Sequence, residues 1–209
     1  MSRLAVHRVD SILDATRTLV LEKGVRSTTV DAIAGRSGAP VGSLYHRFGS
    51  RDRLLVEMWI RAVRRSQAAF LTAIEHADPE QAAVNAALSI VQFARTHKDD
   101  ARLLLSLRRE DLIRSSPSPQ LVCELGELNH PLEAVVTGLA RRLFGKANAR
   151  TVEQTVFAVI DVPLGPIRRH LIAGHDLPRI LSELVEAAVR GVVRQGRSSP
   201  QRLRKIERR

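Results

Sequence analysis

The residues of this 209-residue chain that could carry chemistry do not show the spacings of catalytic or metal sites. The seven histidines include no His-x3-His pair, and the single cysteine, Cys123, cannot form an intramolecular disulfide or a zinc cluster. The pairs His170/His175 and His130/Cys123 are more typical of structural or surface positions than of metal coordination. No Gly-x-Ser-x-Gly segment favours hydrolysis. We therefore predict no enzyme, no metal and no cofactor.

Three glycines near the N-terminus, Gly35, Gly38 and Gly42, could suggest a loop that cradles a phosphate. Their spacing fits neither the dinucleotide-binding pattern nor the P-loop, and no strand-like segment precedes them. We interpret them as residues that allow turns and close helix contacts. Nucleotide binding is therefore not predicted.

The positive charge lies mainly at the two ends of the chain, whose formal net charge is +11. Residues 1–54 hold nine Lys or Arg and five Asp or Glu, residues 55–195 hold eighteen and sixteen, and residues 196–209 hold six and one. A basic excess favours a polyanionic partner. No apolar run approaches the ~18 residues that cross a bilayer, and residues 1–8 lack a signal-peptide core. We expect a cytoplasmic protein without a membrane partner.

Apolar residues recur at helical spacing, and no segment alternates with period two, so the sequence predicts an all-α fold. Gly24 and Gly38 are placed to end the first two helices, and Ser50 to cap the fourth. A third helix is expected to begin at Pro40, and Thr28-x-x-Asp31 resembles a capping box for the second.

The rest of the chain is predicted to form five further helices, over 79–96, 99–113, 120–144, 148–173 and 178–194. Pro131 is expected to bend one of them, and Pro163-Leu-Gly-Pro166 to interrupt another. From Gly196 onward no apolar stripe remains. We therefore predict a basic disordered tail over 196–209.

The segment Ile33-Ala34-x3-Gly38-Ala39-x4-Leu44 has the spacing of a helix-turn-helix. Ala34 is small because the next helix crosses close to it, and Gly38 supplies the turn. Ile33, Ala39 and Leu44 are expected to face inward and hold the crossing angle. The second helix of such a pair presents its N-terminal half to the major groove of DNA.

The same region resembles the N-terminal domain of TetR-family regulators. The resemblance rests on the run Thr28-Thr-Val-Asp-Ala-Ile-Ala34, on Gly38, and on Gly42-Ser-Leu-Tyr-His-Arg-Phe-Gly-Ser-Arg-Asp-Arg-Leu54. It covers about residues 8–58, a quarter of the chain. It implies a three-helix DNA-binding domain over 1–50 and a helical ligand-binding and dimerisation domain over 51–195.

The resemblance also implies which residues contact DNA: Thr28, Thr29, Val41, Gly42, Ser43, Tyr45, His46 and Arg51. The threonines would meet phosphate at the start of a helix, and Arg51 would neutralise another phosphate. Pro40-Val41 departs from the usual capping Ser followed by a basic or polar residue. Val41 cannot neutralise a phosphate, although its methyl groups suit a thymine methyl.

Each of these signals has an alternative interpretation. The threonines could be plain helix caps, and Tyr45 could be a core aromatic with its hydroxyl at the surface. Arg51 could be a solvated charge, although a cation in a first turn opposes the helix dipole. The basic tail could be solvated charge or a non-specific DNA contact.

As a whole, the resemblance implies a homodimeric repressor that binds a palindromic operator in double-stranded DNA and is released by a small-molecule effector. The candidate effector-site residues are Trp59, Arg108, Arg109, Cys123 and His130. A stripe on the last helix is wide enough to serve the chain's own core and a partner: Ile180, Leu181, Leu184, Val185, Ala188, Val189 and Val192. The alternative is a helical ligand-binding or interaction protein without specific DNA binding.

Overall fold

The computed structural model describes residues 3–108, 111–112 and 119–206. Every element of regular structure within these residues is a helix. This confirms the predicted all-α fold. The helices before residue 107 are α1 (Arg3–Lys23), α2 (Val30–Ser37), α3 (Val41–Phe48), α4 (Arg51–Ala73), α5 (Pro79–Thr96) and α6 (Lys98–Ser106). Those after it are α7 (Pro119–Glu127), α8 (His130–Phe144), α9 (Ala149–Val156), α10 (Val162–Ile172) and α11 (Leu181–Ile206).

The chain forms two compact units. Unit 1 comprises residues 1–65 and 97–128, and unit 2 comprises residues 66–96 and 129–209. Helix α4 contributes residues to both. The predicted boundary at residue 50 separates a DNA-binding domain from a ligand-binding domain. It does not coincide with the limits of the two compact units and stays a prediction.

Unit 1 is built on one apolar core that joins the first four helices to α6 and α7. Its most buried large side chains are Ile33, Leu44, Leu54, Met58, Ile60, Leu103 and Leu125. Apolar residues recur every three or four positions in α1 and α4, which gives each helix one inward face. Glu124 of α7 accepts a hydrogen bond from Arg53 of α4 at 3.0 Å. It also forms an ion pair with Arg64 of α4 at 3.5 Å.

A buried carboxylate links three helices of unit 1. Asp100 of α6 is 1% exposed, and its two oxygens lie 2.5 Å from Arg17 Nη1 on α1 and 3.2 Å from Arg65 Nη1 on α4. Arg65 and Arg61 also contact Asp10 of α1, at 3.3 and 2.9 Å. Because a buried charge is tolerated only when it is paired, Asp100 depends on both arginines.

Unit 2 is organised around the alanine-rich helix α5. The side chains of Ala82, Ala83, Val84, Ala86 and Ala87 are fully buried, and such small residues let neighbouring helices approach closely. Arginines close the loops of this unit by donating to backbone carbonyls. Arg95 donates to Pro178 O at 3.0 Å, just before α11, and Arg142 donates to the carbonyls of His76 and Ala77.

Several helix ends differ from the sequence prediction. The helix predicted over 99–113 ends at Ser106, because Leu107 is extended (φ −118°, ψ 122°). The predicted 120–144 helix is two helices, since Pro131 lies in the first turn of α8, where its missing N–H costs nothing. The serine- and proline-rich loop over 115–119 begins outside the described residues.

The predicted interruption of the 148–173 helix is present, and a π-helical turn at Phe157–Asp161 forms it together with the prolines. The Val162 N–H donates to Phe157 O, one residue further back than in an α-helix. Pro163 and Pro166 follow directly and donate no backbone hydrogen bond. A wider turn before two prolines relieves the crowding of a proline ring against the preceding turn.

The last helix corrects the prediction of a disordered tail from Gly196. Helix α11 continues to Ile206. Its middle contacts α8 and α5 of unit 2. Gly196 lies against the Phe144 ring, Arg197 Nε donates to Leu143 O at 3.2 Å, and Arg190 and Arg197 pair with Glu80 at 3.4 and 3.3 Å. The sequence pattern missed these contacts because a glycine and arginines, rather than apolar side chains, make them.

Candidate nucleic-acid interface

Helices α2 and α3 form the predicted helix-turn-helix. Gly38 has a left-handed conformation (φ 70°), and its N–H donates to Ala34 O at 2.9 Å, which ends α2. Ile33 and Leu44 are buried where the two helices meet, and Ala39 is buried in the turn. The inward positions predicted from the sequence are confirmed.

The outer face of α3 is available to a partner. Leu44 and Phe48 fill the core, whereas every other residue of α3 is exposed. The exposed residues are Val41, Gly42, Ser43, Tyr45, His46 and Arg47. Tyr45 is 51% exposed, which excludes its alternative interpretation as a core aromatic. An exposed first half of a recognition helix is what the major groove requires.

An open groove of about 460 Å³ lies beside the start of α3. It is lined by Ile12, Ala39, Pro40, Gly42, Ser43, His46 and Arg47. Its wall combines apolar side chains with a hydroxyl, an imidazole and a guanidinium. The exposed polar groups of α3 therefore border a concave surface rather than a flat one.

At the start of α2, the two threonines have different roles. Thr29 is the N-cap: it is exposed, and its hydroxyl accepts a hydrogen bond from Ala32 N at 3.2 Å. Thr28 is 0% exposed, and its hydroxyl donates to Gly24 O at 2.9 Å. The capping position is therefore one residue later than the predicted Thr28–Asp31 box. In this geometry the side chain of Thr28 is not accessible to a phosphate, and only Thr29 remains a candidate contact.

Arg51 begins α4 and points toward the loop before α2. Its Nε donates to Thr28 O at 2.6 Å, its Nη2 donates to Val25 O, and its Nη1 lies 2.9 Å from Asp52 Oδ1. Ser50 caps the helix as predicted, since its hydroxyl accepts from Arg53 N at 3.1 Å. The geometry of Arg51 differs from that of a side chain extended toward a phosphate.

Four of the five candidate effector-site residues lie within the described part of the chain. Trp59 is half-buried in unit 1, and its Nε1 donates to Leu107 O at 3.4 Å, next to the exposed Arg108. Arg109 lies outside the described residues. Cys123 is exposed in unit 1, and His130 is exposed in unit 2.

Cys123 does not have the environment of a reactive thiol. The negative charge of Glu127 raises the pKa of the Cys123 thiol, and the hydrogen bond from Sγ to Glu127 Oε1 acts in the same direction. A protonated thiol is a weak nucleophile. Within the described residues, no group of three His, Cys, Asp or Glu side chains could hold a metal ion, and no helix is long and apolar enough to cross a membrane.

Comparison with known sequences finds a family model that matches the helix-turn-helix region. The sequence model described as "Bacterial regulatory proteins, tetR family" matches residues 12–58. The region over residues 12–58 is therefore similar to the N-terminal domain of TetR-family regulators. That match includes α2, α3 and the start of α4, which are the elements that form the candidate interface.

The curated relatives share this N-terminal region. The HTH-type transcriptional repressor KstR2 of Rhodococcus jostii (strain RHA1) is 43% identical over 51 residues, which cover 24% of this chain and 25% of the relative. KstR2 of Mycolicibacterium smegmatis is 37% identical over a segment of the same length. The matched segment thus spans about a quarter of the length of these relatives.

Solved structures of transcriptional regulators share the fold over most of the chain, among them a TetR-family regulator. PfmR from Thermus thermophilus has a TM-score of 0.66 at 22% identity, covering 88% of this chain and 97% of the other. FadR from Bacillus subtilis, solved in complex with stearoyl-CoA, has a TM-score of 0.67 at 13% identity, covering 88% and 96%. At such identities the likeness shows a common fold.

Proposed function

We propose that this protein is a TetR-family DNA-binding transcriptional repressor whose helix α3 enters the major groove. The exposed face of α3, opposite the buried Leu44 and Phe48, carries the proposal. Ser43 and His46 supply hydrogen-bonding groups near base edges, and Val41 supplies methyl groups. Thr29 and the N-terminus of α2 supply donors for a phosphate.

We further propose that the protein binds a palindromic operator as a homodimer. The last helices of unit 2 leave large apolar side chains exposed, namely Phe157, Ile172, Ile180 and Leu184. On α11 the predicted stripe divides: Leu181, Val185 and Val189 are buried in the chain's own core, whereas Leu184 is 57% exposed. A two-fold dimer would place its recognition helices about one helical turn, ~34–36 Å, apart along DNA.

The proposed trigger is a small-molecule effector. We propose that this effector is an apolar molecule with an acidic head group. The proposal is based on the structure of Bacillus subtilis FadR in complex with stearoyl-CoA. Trp59 and Arg108 are the candidate contacts that lie near each other. Stearoyl-CoA is therefore the probe of choice. It should raise the midpoint of thermal unfolding and weaken operator binding 5- to 150-fold, a coupling of ~1–3 kcal/mol.

Selection from a random duplex library, followed by gel shifts at fixed salt, tests the DNA-binding proposal. The expected result is enrichment of a palindrome with half-sites about one helical turn apart. Equal affinity for selected and unselected duplexes would instead support a helical ligand-binding or interaction protein without specific DNA binding.

Replacing an outer side chain of α3 should weaken binding to the selected operator. We expect Ser43→Ala and His46→Ala each to lower affinity about tenfold, because each removes one contact near the bases. Gel-shift titrations measure the effect. His175→Ala is the matched control, since it removes an exposed histidine of unit 2 that belongs to no candidate site. If the His46 and His175 variants both bind as the wild type does, α3 is not the face that contacts bases.

A further inference from the structure

The guanidinium of Arg51 donates its hydrogen bonds to acceptors within the protein. Three of its five N–H groups point to named acceptors: the carbonyls of Val25 and Thr28 and the carboxylate of Asp52. The side chain is only 28% exposed. The two carbonyl acceptors belong to the loop between α1 and α2, more than twenty residues earlier in the chain.

Thr28 closes the same loop from within by two hydrogen bonds. The Thr28 hydroxyl donates to Gly24 O at 2.9 Å, and the Thr28 N–H donates to Val25 O at 3.3 Å. Arg51 adds the donors that Thr28 O and the second lone pair of Val25 O need. The turn over 24–28 is therefore closed by Thr28 from within and by Arg51 from α4.

This turn determines where α2 begins. Thr29 follows it directly and caps α2 through Ala32 N. The carbonyl of Thr28, which Arg51 holds, belongs to the peptide group that leads into Thr29. A shift of that peptide group would change the direction of the first N–H groups of α2, which have no partner within the helix.

We propose that Arg51 is a positioning residue that fixes the start of α2 from the first residue of α4, and that it is not itself a phosphate contact. This inference rests on the proposed DNA-binding function and reverses the role that the family resemblance implies for Arg51. A planar fork with several directed donors is needed to reach two carbonyls at once. Lysine, with one ammonium group on a flexible stem, cannot reproduce that geometry.

Charge-preserving and charge-removing variants separate the two roles. If Arg51 positions α2, Arg51→Lys and Arg51→Ala should both lower operator affinity, by roughly tenfold, and leave the slope of log affinity against log salt unchanged. If Arg51 neutralises a phosphate, Arg51→Lys should bind like the wild type, and Arg51→Ala should reduce the slope by ~0.9. The second result would overturn the inference.

A readout without DNA distinguishes failure of this inference from failure of the proposed function. Both Arg51 variants should lower the midpoint of thermal unfolding and speed hydrogen exchange at the amides of Ala32 and Ile33. Arg26→Ala, an exposed cation in the same loop, is the matched control and should leave both unchanged. Wild-type protein that binds no duplex would refute the proposed function. Wild-type hydrogen-exchange rates in Arg51→Lys would refute the positioning role of Arg51.

Discussion

Asp100→Asn should lower the free energy of unfolding of unit 1 by about 3 kcal/mol, the cost of breaking a buried ion pair from one side. Asparagine has nearly the same shape, so the change removes charge without opening a cavity. It leaves Arg17 and Arg65 facing an amide that offers one acceptor oxygen in place of two. Arg17, whose side chain is only 15% exposed, would gain little hydration to compensate for the lost charge contact.

Trp59, the only tryptophan, lies in unit 1, so its fluorescence during denaturant unfolding reports on this unit. Asp99→Asn is the matched control. Asp99 is the preceding residue, its side chain is 51% exposed, and it lies 3.9 Å from Arg17. An exposed pair of this kind contributes about 0–1 kcal/mol. Equal losses in the two variants would show that the buried position of Asp100 does not matter.

Leu184→Glu should convert the proposed dimer into a monomer and reduce operator affinity by on the order of 100-fold. The change places a charge on the exposed apolar stripe of α11, where a partner would desolvate it. A monomer presents one recognition helix, and it loses the gain in effective concentration that links the two half-sites. Sedimentation at micromolar concentration and gel shifts on the same palindrome measure the two effects.

Val122→Glu is the control for this experiment, since it introduces the same charge at an exposed apolar residue of unit 1. It should leave both the sedimentation coefficient and the affinity unchanged. A dimeric Leu184→Glu protein would place the interface elsewhere. A monomeric variant that keeps full operator affinity would contradict the coupling of dimerisation to DNA binding.

The helix-turn-helix could be predicted from the sequence because its determinants are local. Ile33, Gly38 and Leu44 lie within twelve residues, and their types alone define an inward face and a turn. The capping residue was harder to place. Thr28 and Thr29 are adjacent and chemically equivalent, so only the backbone shows that Thr28 is buried and Thr29 is the cap.

The ion-pair network could not be predicted, because its members are far apart in sequence. Arg17 and Asp100 are separated by 83 positions, and an acidic pair in the first turn of α6 is explained equally well by the helix dipole. The inward direction of Arg51 was missed for the same reason. A cation at the start of a helix gives no sign, in the sequence, of which distant carbonyls it reaches.

The contact between Gly196 and Phe144 sets the register of the last helix. A Cβ at position 196 would lie 2.6 Å from the Phe144 ring, so only glycine fits there without a shift of the ring. If α11 slid by one turn so that Val192 took the place of Gly196, the Val192 Cβ would meet the ring. This glycine therefore helps to fix how far along unit 2 the exposed Leu184 lies, and with it the part of α11 that a second subunit would meet.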